Sequence, residues 1–347
     1  MRTAVVILNW NNRDYLQRFV PGILASLGPE DRLYVADSGS TDGSLEFLAD
    51  THPDVGQIPL GKNLGFAGGY DKALAQIDGA QYYVLLNSDI EVSPDWLEPL
   101  ASWMESHPEC GACAPKLHAL VRSHEGGYER TGRFEYAGAA GGWLDRYGFP
   151  YCRGRVLQRV EEDKGQYDTP ARVFWVTGAC LMVRASVWKE LGGLDAEFFA
   201  HMEEIDFCWR AQLAGFQVWA VPASLVWHIG GGTLSPASPL KLKLNYRNST
   251  WMLRKNLPAT IGPRKASWRL FVRRLLDIAT QVVYLLQGKP QYVKAVSQAH
   301  REARTRAIVP TGGAANVSFG KVRIVLASAL KGDKVFDYLR KKYEGSY

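Results

Sequence analysis

The chain has 347 residues, of which 46% are hydrophobic and 22% charged. Such a composition excludes general disorder and leaves room for one large domain or a domain with an appendage. The net charge of +6 divides unevenly: residues 1–240 hold 19 Lys and Arg against 30 Asp and Glu, and residues 241–347 hold 22 against 5.

Met1-Arg2-Thr3 leads straight into the apolar run Ala4 to Leu8, which is too short for the apolar core of a signal peptide. Residues 5–8 read instead as a strand buried on both faces. Residues 15–27 read as a helix with Leu16, Phe19, Val20, Ile23, Leu24 and Leu27 on one side, kinked at Pro21-Gly22. A second strand over 33–36 ends at Asp37, and a helix begins at Ser44. A Gly-rich turn and helix occupy 63–77, and another buried strand spans 82–86. Strands alternating with helices predict an α/β fold, a mostly parallel sheet with helices on both sides. Cys110 and Cys113 have CxxC spacing without a second pair to complete a zinc site. With Cys152, Cys180 and Cys208 they read as buried thiols of a reducing compartment. Residues 120–170, rich in Gly, Arg and Tyr, read as long excursions over a site, and regular structure resumes over 173–183.

Beyond about residue 240 the composition turns basic. Residues 269–286 predict an amphipathic helix, with Phe271, Leu275, Ile278, Ala279, Val282 and Leu286 on one side and Arg269, Arg273, Asp277 and Gln281 on another. Only residues 275–288 run without a basic charge, too few to span a bilayer but enough to lie in its interface. The basic tail is therefore expected to meet an anionic membrane surface, with Arg269, Arg273, Arg274 and Lys289 near headgroups, the alternative being that the apolar face packs on the catalytic domain or on a second subunit. It carries no nucleic-acid-binding motif.

Ligands of open α/β sheets lie beyond the carboxyl ends of the strands, where Asn9, Asp37 and Asp89 stand. Asp37 opens Asp37-Ser38-Gly39-Ser40-Thr41-Asp42-Gly43; it suits either the N–H of a nucleobase or an Asx turn. Gly65 opens Gly65-Phe66-Ala67-Gly68-Gly69, before a helix whose N–H groups suit a phosphate. Asn87-Ser88-Asp89 follows a buried strand, and a lone Asp there suits either a hard cation or a helix cap. His228 follows Trp227 and precedes the run Ile229 to Thr233; it suits a metal, a phosphate or the core. Glu203, Glu204 and Asp206 crowd among Phe198, Ile205, Phe207 and Trp209. Ordinary packing gives no reason for that clustering, so a base or a polar-ligand site is expected.

These motifs, with the opening Val5-Val6-Ile7-Leu8-Asn9-Trp10-Asn11, with Asn63-Leu64 before Gly65 and with Thr177-Gly178-Ala179-Cys180, jointly resemble the family 2 glycosyltransferases of GT-A fold. The resemblance is strongest to rhamnosyltransferase-like enzymes of bacterial surface polysaccharides and covers about residues 3–260. It implies a GT-A domain over 1–260, with a basic helical extension over 261–347. It also implies an inverting enzyme that takes one sugar from a nucleotide-sugar donor to a glycan or lipid-linked acceptor. Donor binding falls to Asn9, Asp37, Gly65, Asn87, Ser88 and Asp89, and Mg2+ or Mn2+ to Asp89 and His228. Glu204 is the expected base and Glu203 a secondary carboxylate. Asn87 replaces the first Asp of the family's DxD motif, and Glu204 stands where Asp is common. No QxxRW motif of processive synthases is present. A cytoplasmic protein, peripheral at the inner face of the plasma membrane, is expected. The rival classes are a sugar nucleotidyltransferase, which lacks here its N-terminal Gly-rich loop with Arg and Lys, and a non-catalytic nucleotide- or glycan-binding protein.

Overall fold

The computed structural model describes residues 1–123, 126–230, 237–313 and 317–343. Apolar runs at the start of the chain become parallel strands because both of their faces are covered. β1 (Thr3–Asn9) pairs with β2 (Arg32–Asp37) and with β4 (Tyr82–Asn87), and β2 pairs with β3 (Gly56–Pro59), all in parallel. Alternate residues of β1 enter opposite cores. Ala4 and Val6 join the cluster containing Tyr70 of α3 (Gly65–Leu74), while Val5 and Ile7 join the one containing Leu16 and Phe19 of α1 (Arg13–Ala25). Helix α2 (Ser44–Thr51) links β2 to β3.

The other half of the sheet is mixed. β13 (Cys180–Arg184) runs antiparallel between β4 and β6 (Cys110–Arg122). β14 (Gln217–His228) lies parallel to β6 and antiparallel to β5 (Ile90–Val92). The excursion over 120–170 is more regular than its sequence indicates. β7 (Tyr128–Phe134) pairs antiparallel with β6, and β8 (Gly142–Leu144), β9 (Pro150–Cys152), β10 (Arg155–Val156) and β11 (Arg159–Val160) form a small separate sheet. Strands of two or three residues are too short to show alternation. All five cysteines are buried free thiols.

Beyond β14, α7 (Pro239–Ile261), α8 (Pro263–Leu286) and α9 (Pro290–Thr305) pack together, followed by α10 (Ile324–Lys331) and α11 (Val335–Tyr343). This tail folds back onto the body. Ile324, Val335, Phe336 and Leu339 join the larger core cluster, and Arg340 bonds Glu161 at 2.6 Å. Helix α8 has the two predicted faces, but the polar one points inward. Arg273 is buried, with Nε 3.0 Å from Asp277, whose other oxygen lies 3.1 Å from His300 of α9. Gln281 donates to Ser297 at 2.6 Å. Trp268, Phe271, Leu275, Ile278, Val282 and Leu286 are exposed. The expectation that Arg273 meets headgroups is thereby overturned: its partners are Asp277 and the carbonyl of Tyr147. Arg269 stacks over Phe319. Lys289 is exposed, as are Arg264 and Lys265 at the other end of α8. Among the described residues no helix is long and apolar enough to cross a membrane.

Candidate active site

Three groups of predicted residues emerge at one edge of the sheet. At the ends of β1 and β2, Asn9 and Asp37 are register partners and both are buried. Asp37 accepts the side-chain amide of Asn9 at 2.9 Å and the backbone N–H groups of Gly39 and Ser40 at 2.9 and 2.8 Å. The Asx turn is thus present. It also fixes Asn9, whose own carbonyl Oδ1 is buried without a hydrogen-bond partner and suits an N–H donor brought by a ligand.

The Gly-rich turn behaves differently from its expectation. Gly65 has φ +74°, and a Cβ there would collide with the backbone of Phe199. Its N–H donates to Asn63 at 2.8 Å, and that of Ala67 to the carbonyl of Phe199 at 3.3 Å. The N–H groups of Gly65 and Ala67 are thus engaged within the protein, and Gly65 is a close-packing position against Phe199.

The second group forms where β5 pairs with β14. Register sets His228 opposite Ile90, and the N–H of Ile229 bonds the carbonyl of Asp89 at 3.2 Å. His228 Nε2 lies 3.1 Å from Asp89 Oδ1 and 3.3 Å from Asn87 Nδ2, and Ser88 is buried between Asn87 and Asp89. A residue absent from the sequence reading completes the group: Glu135, buried just past β7, brings Oε1 to 3.5 Å from His228 Nδ1. Burial works against a charged imidazole, but the two carboxylates outweigh it and hold the His228 pKa well above its ordinary value. Burial likewise opposes ionisation of Asp89, and His228 nonetheless keeps its pKa below the usual carboxylate range. Lys241, in the first turn of α7, is near enough to influence Glu135 and His201. Residues 231–233 of the Gly-rich run after His228 lie outside the described residues.

No cluster of three or more His, Cys, Asp or Glu side chains suited to a metal occurs among the described residues. Asp89 and His228 are the candidate cation ligands. That pair fits a divalent ion that would displace the proton from His228 Nε2 and take phosphate oxygens and water in its remaining positions. The Nδ1 of His228, without a hydrogen bond of its own, faces the carboxylate that fixes the ring.

The third group opens α6 (Glu203–Leu213). Asp206 is fully committed to structure: it bonds Arg210 at 2.8 Å, Lys255 at 3.0 Å and Asn256 at 2.7 Å. Glu203 is buried, and desolvation together with Glu204 pushes its pKa well above the carboxylate range. Glu204 is only partly covered. Burial raises its pKa to about 7, against the pull of the backbone N–H groups at the helix start. One of its oxygens has no hydrogen-bond partner. Gly178 lies against its Cβ, and Ala179 bonds the N–H of Asn87 at 2.9 Å. The buried Cys152 thiol feels both Glu135 and Glu204. The second and third groups therefore share one neighbourhood.

An α/β sheet with a carboxylate–imidazole pair at a strand end, and a half-buried carboxylate of near-neutral pKa beside it, suits group transfer from an anionic leaving group. The profile of "Glycosyl transferase family 2" matches residues 4–189, and the chain belongs to that family: it is a glycosyltransferase. It is 26% identical over 234 residues, 65% of this chain and 75% of the relative, to the N-acetylglucosaminyl-diphospho-decaprenol L-rhamnosyltransferase of Mycobacterium tuberculosis. It is 24% identical over 226 residues, 63% and 80% of the two chains, to rhamnosyltransferase WbbL of Escherichia coli K12. Among solved structures, GalNAc-T7 with UDP, GalNAc and Mn2+ superposes with a TM-score of 0.58 at 16% identity, over 73% of this chain and 48% of that one. TarS of S. aureus with UDP-GlcNAc gives 0.56 at 14% identity, over 87% and 82%. These structural likenesses extend to the fold.

Proposed function

We propose that the chain is an inverting, metal-dependent transferase that moves one sugar per encounter from a nucleotide-sugar to a glycan or lipid-linked acceptor in surface-polysaccharide synthesis. The observation that carries this reading is Glu204, a partly covered residue with a buried carboxylate oxygen that has no hydrogen-bond partner and a pKa raised by burial to about 7. An acceptor hydroxyl is a poor nucleophile at neutral pH. Ionised Glu204 takes its proton while the acceptor oxygen bonds the anomeric carbon and the bond from that carbon to the diphosphate oxygen breaks with its electron pair. A positioned base contributes about 10²–10⁴-fold. Attack on the face opposite the leaving diphosphate inverts the centre.

Asn9 and Asp37 hold the base end of the donor, and Asn87, Ser88 and Asp89 its diphosphate end. Asp89 and His228 would hold Mg2+ or Mn2+, which when bound offsets the charge gathering on the diphosphate. Glu135 orients His228 from behind. GalNAc-T7 with UDP, GalNAc and Mn2+, and the mannosyltransferase PcManGT of Pyrobaculum calidifontis with GDP-Man and Mn2+, support this choice of ion. The two bacterial relatives are rhamnosyltransferases, so a nucleoside-diphospho-rhamnose is the first donor to try. The outward apolar face of α8, with Arg264, Lys265 and Lys289 at its ends, supports a peripheral position on an anionic membrane, at its cytoplasmic face, where a lipid-linked acceptor would be met.

The base assignment is tested by paired substitutions. Glu204→Gln keeps size and polarity but accepts no proton, so kcat should fall by about 10²-fold or more with donor KM little changed. Glu203→Gln, at a carboxyl whose ionisation burial and Glu204 oppose, should retain most activity. The opposite pattern would exchange the two roles.

A further inference from the structure

The backbone immediately before Glu203 and Glu204 is strained. Phe199, His201 and Met202 have φ of +64°, +72° and +76°. Non-glycine residues in this region cost on the order of 1–3 kcal/mol each and persist only where surrounding structure imposes them. The imposing structure is visible. Asn248 of α7 is completely buried, and its two amide N–H groups are shared among the carbonyls of Phe198, Ala200 and His201, which lie 2.9, 2.8 and 2.8 Å from the nitrogen. Arg247 fixes that amide by donating from Nε to its oxygen at 2.9 Å, and reaches the Phe198 carbonyl itself at 3.1 Å. On the far side, Phe199 is held by the N–H of Ala67 and by the missing Cβ of Gly65. Met202, the last strained residue, is the N-cap of α6, so the dihedral angles of this segment set the direction in which Glu204 leaves the helix.

We propose that Asn248 is a positioning residue for sugar transfer, holding the 198–202 backbone in the one conformation that aims Glu204 at the acceptor hydroxyl. Its effect passes through Glu204, so the inference rests on Glu204 being the base. Displacing a reacting group by about 1 Å can cost on the order of 10²-fold, whereas binding of the donor, which falls to other strand ends, is left alone.

The test is a double-mutant cycle on the full chain, with steady-state kinetics and melting temperature measured for each variant. Asn248→Ser keeps one donor; kcat should fall about 10–100-fold with donor KM within about twofold. Arg247→Met, a milder lesion at the half-buried end of the same network, should lower kcat about 3–10-fold in the same pattern and serves if Asn248→Ser does not fold. In the Glu204→Gln background neither substitution should lower the residual rate further, because there is no base left to misplace. Leu257→Ala, also on α7 but in the core away from this segment, controls for destabilisation and should keep the parent kcat below its melting range. Equal fold-losses with and without Glu204, or a rise in donor KM at unchanged kcat, would overturn the proposal while leaving the base assignment intact. Full activity of Glu204→Gln alone would remove that assignment first, and would be seen independently of Asn248.

Discussion

Glu203 and Glu204 are neighbours in sequence and about 100° apart around a helix, and that rotation separates their chemistry. Glu203 is buried, and its pKa is pushed well above the carboxylate range; Glu204 is only partly covered as a residue, and burial raises its pKa to about 7. A base must be ionised to act, so kcat/KM should rise as pH increases through about 7 and level off above it. A rate independent of pH between 6 and 8 would count against Glu204. The same shift has a cost in stability. The folded pKa lies above the ordinary value of 4.5, so the stability contributed by the neutral carboxyl is present below about 4.5 and is lost as pH rises toward 7. Glu204→Gln should therefore gain on the parent across that window, by on the order of 3 kcal/mol, and melt higher at pH 8. Melting curves at pH 5 and pH 8 check this. Equal differences at both would show that Glu204 is not desolvated.

At the scale of elements, the sequence is most informative where a single strand decides the outcome. Asn9, Asp37 and Asp89 follow apolar runs, and the first two do end parallel strands while Asp89 lies just past the end of β4, because local hydrophobicity alone specifies a buried strand and its limit. Glu135 was invisible for the converse reason. Its position beside His228 depends on β7 pairing with β6 and on β14 lying along β6, both long-range registers that no local pattern encodes. Gly65 reads equally as a cradle or a packing site until Phe199 is seen against it. Helix α8 shows the same limit: periodicity separates its two faces but does not say which is turned inward, and here Asp277, His300 and Ser297 draw the polar one in. The exposed apolar face leads to a specific expectation. Binding to anionic vesicles in a flotation assay should be weakened by salt only in part, since cations at the helix ends add roughly 1 kcal/mol each to apolar insertion. Leu275→Asp with Ile278→Asp should abolish it while leaving the melting temperature nearly unchanged, both residues being exposed. Flotation unaffected by the double substitution, or a concentration-dependent dimer that the substitution dissolves, would assign this face elsewhere.

For the whole molecule, the acidic body and basic tail are not separate pieces. Residues beyond 261 return to the body through Arg340 and the apolar side of α11, while α7 both begins the helical cluster and reaches Asp206 and the 198–202 segment. The tail is therefore built into the support of the site as well as offering a surface. Every part of this account converges on one reaction, and the most direct test is turnover by the purified full chain. Nucleoside diphosphate release from a panel of nucleotide-sugars, beginning with a nucleoside-diphospho-rhamnose, would be followed in Mn2+ or Mg2+, in excess chelator, and with Asp89→Ala. The account predicts release from one donor that a divalent cation supports, that chelator stops, and that folded Asp89→Ala lacks. Undiminished release in chelator, or an Asp89→Ala chain as active as the parent, would contradict it.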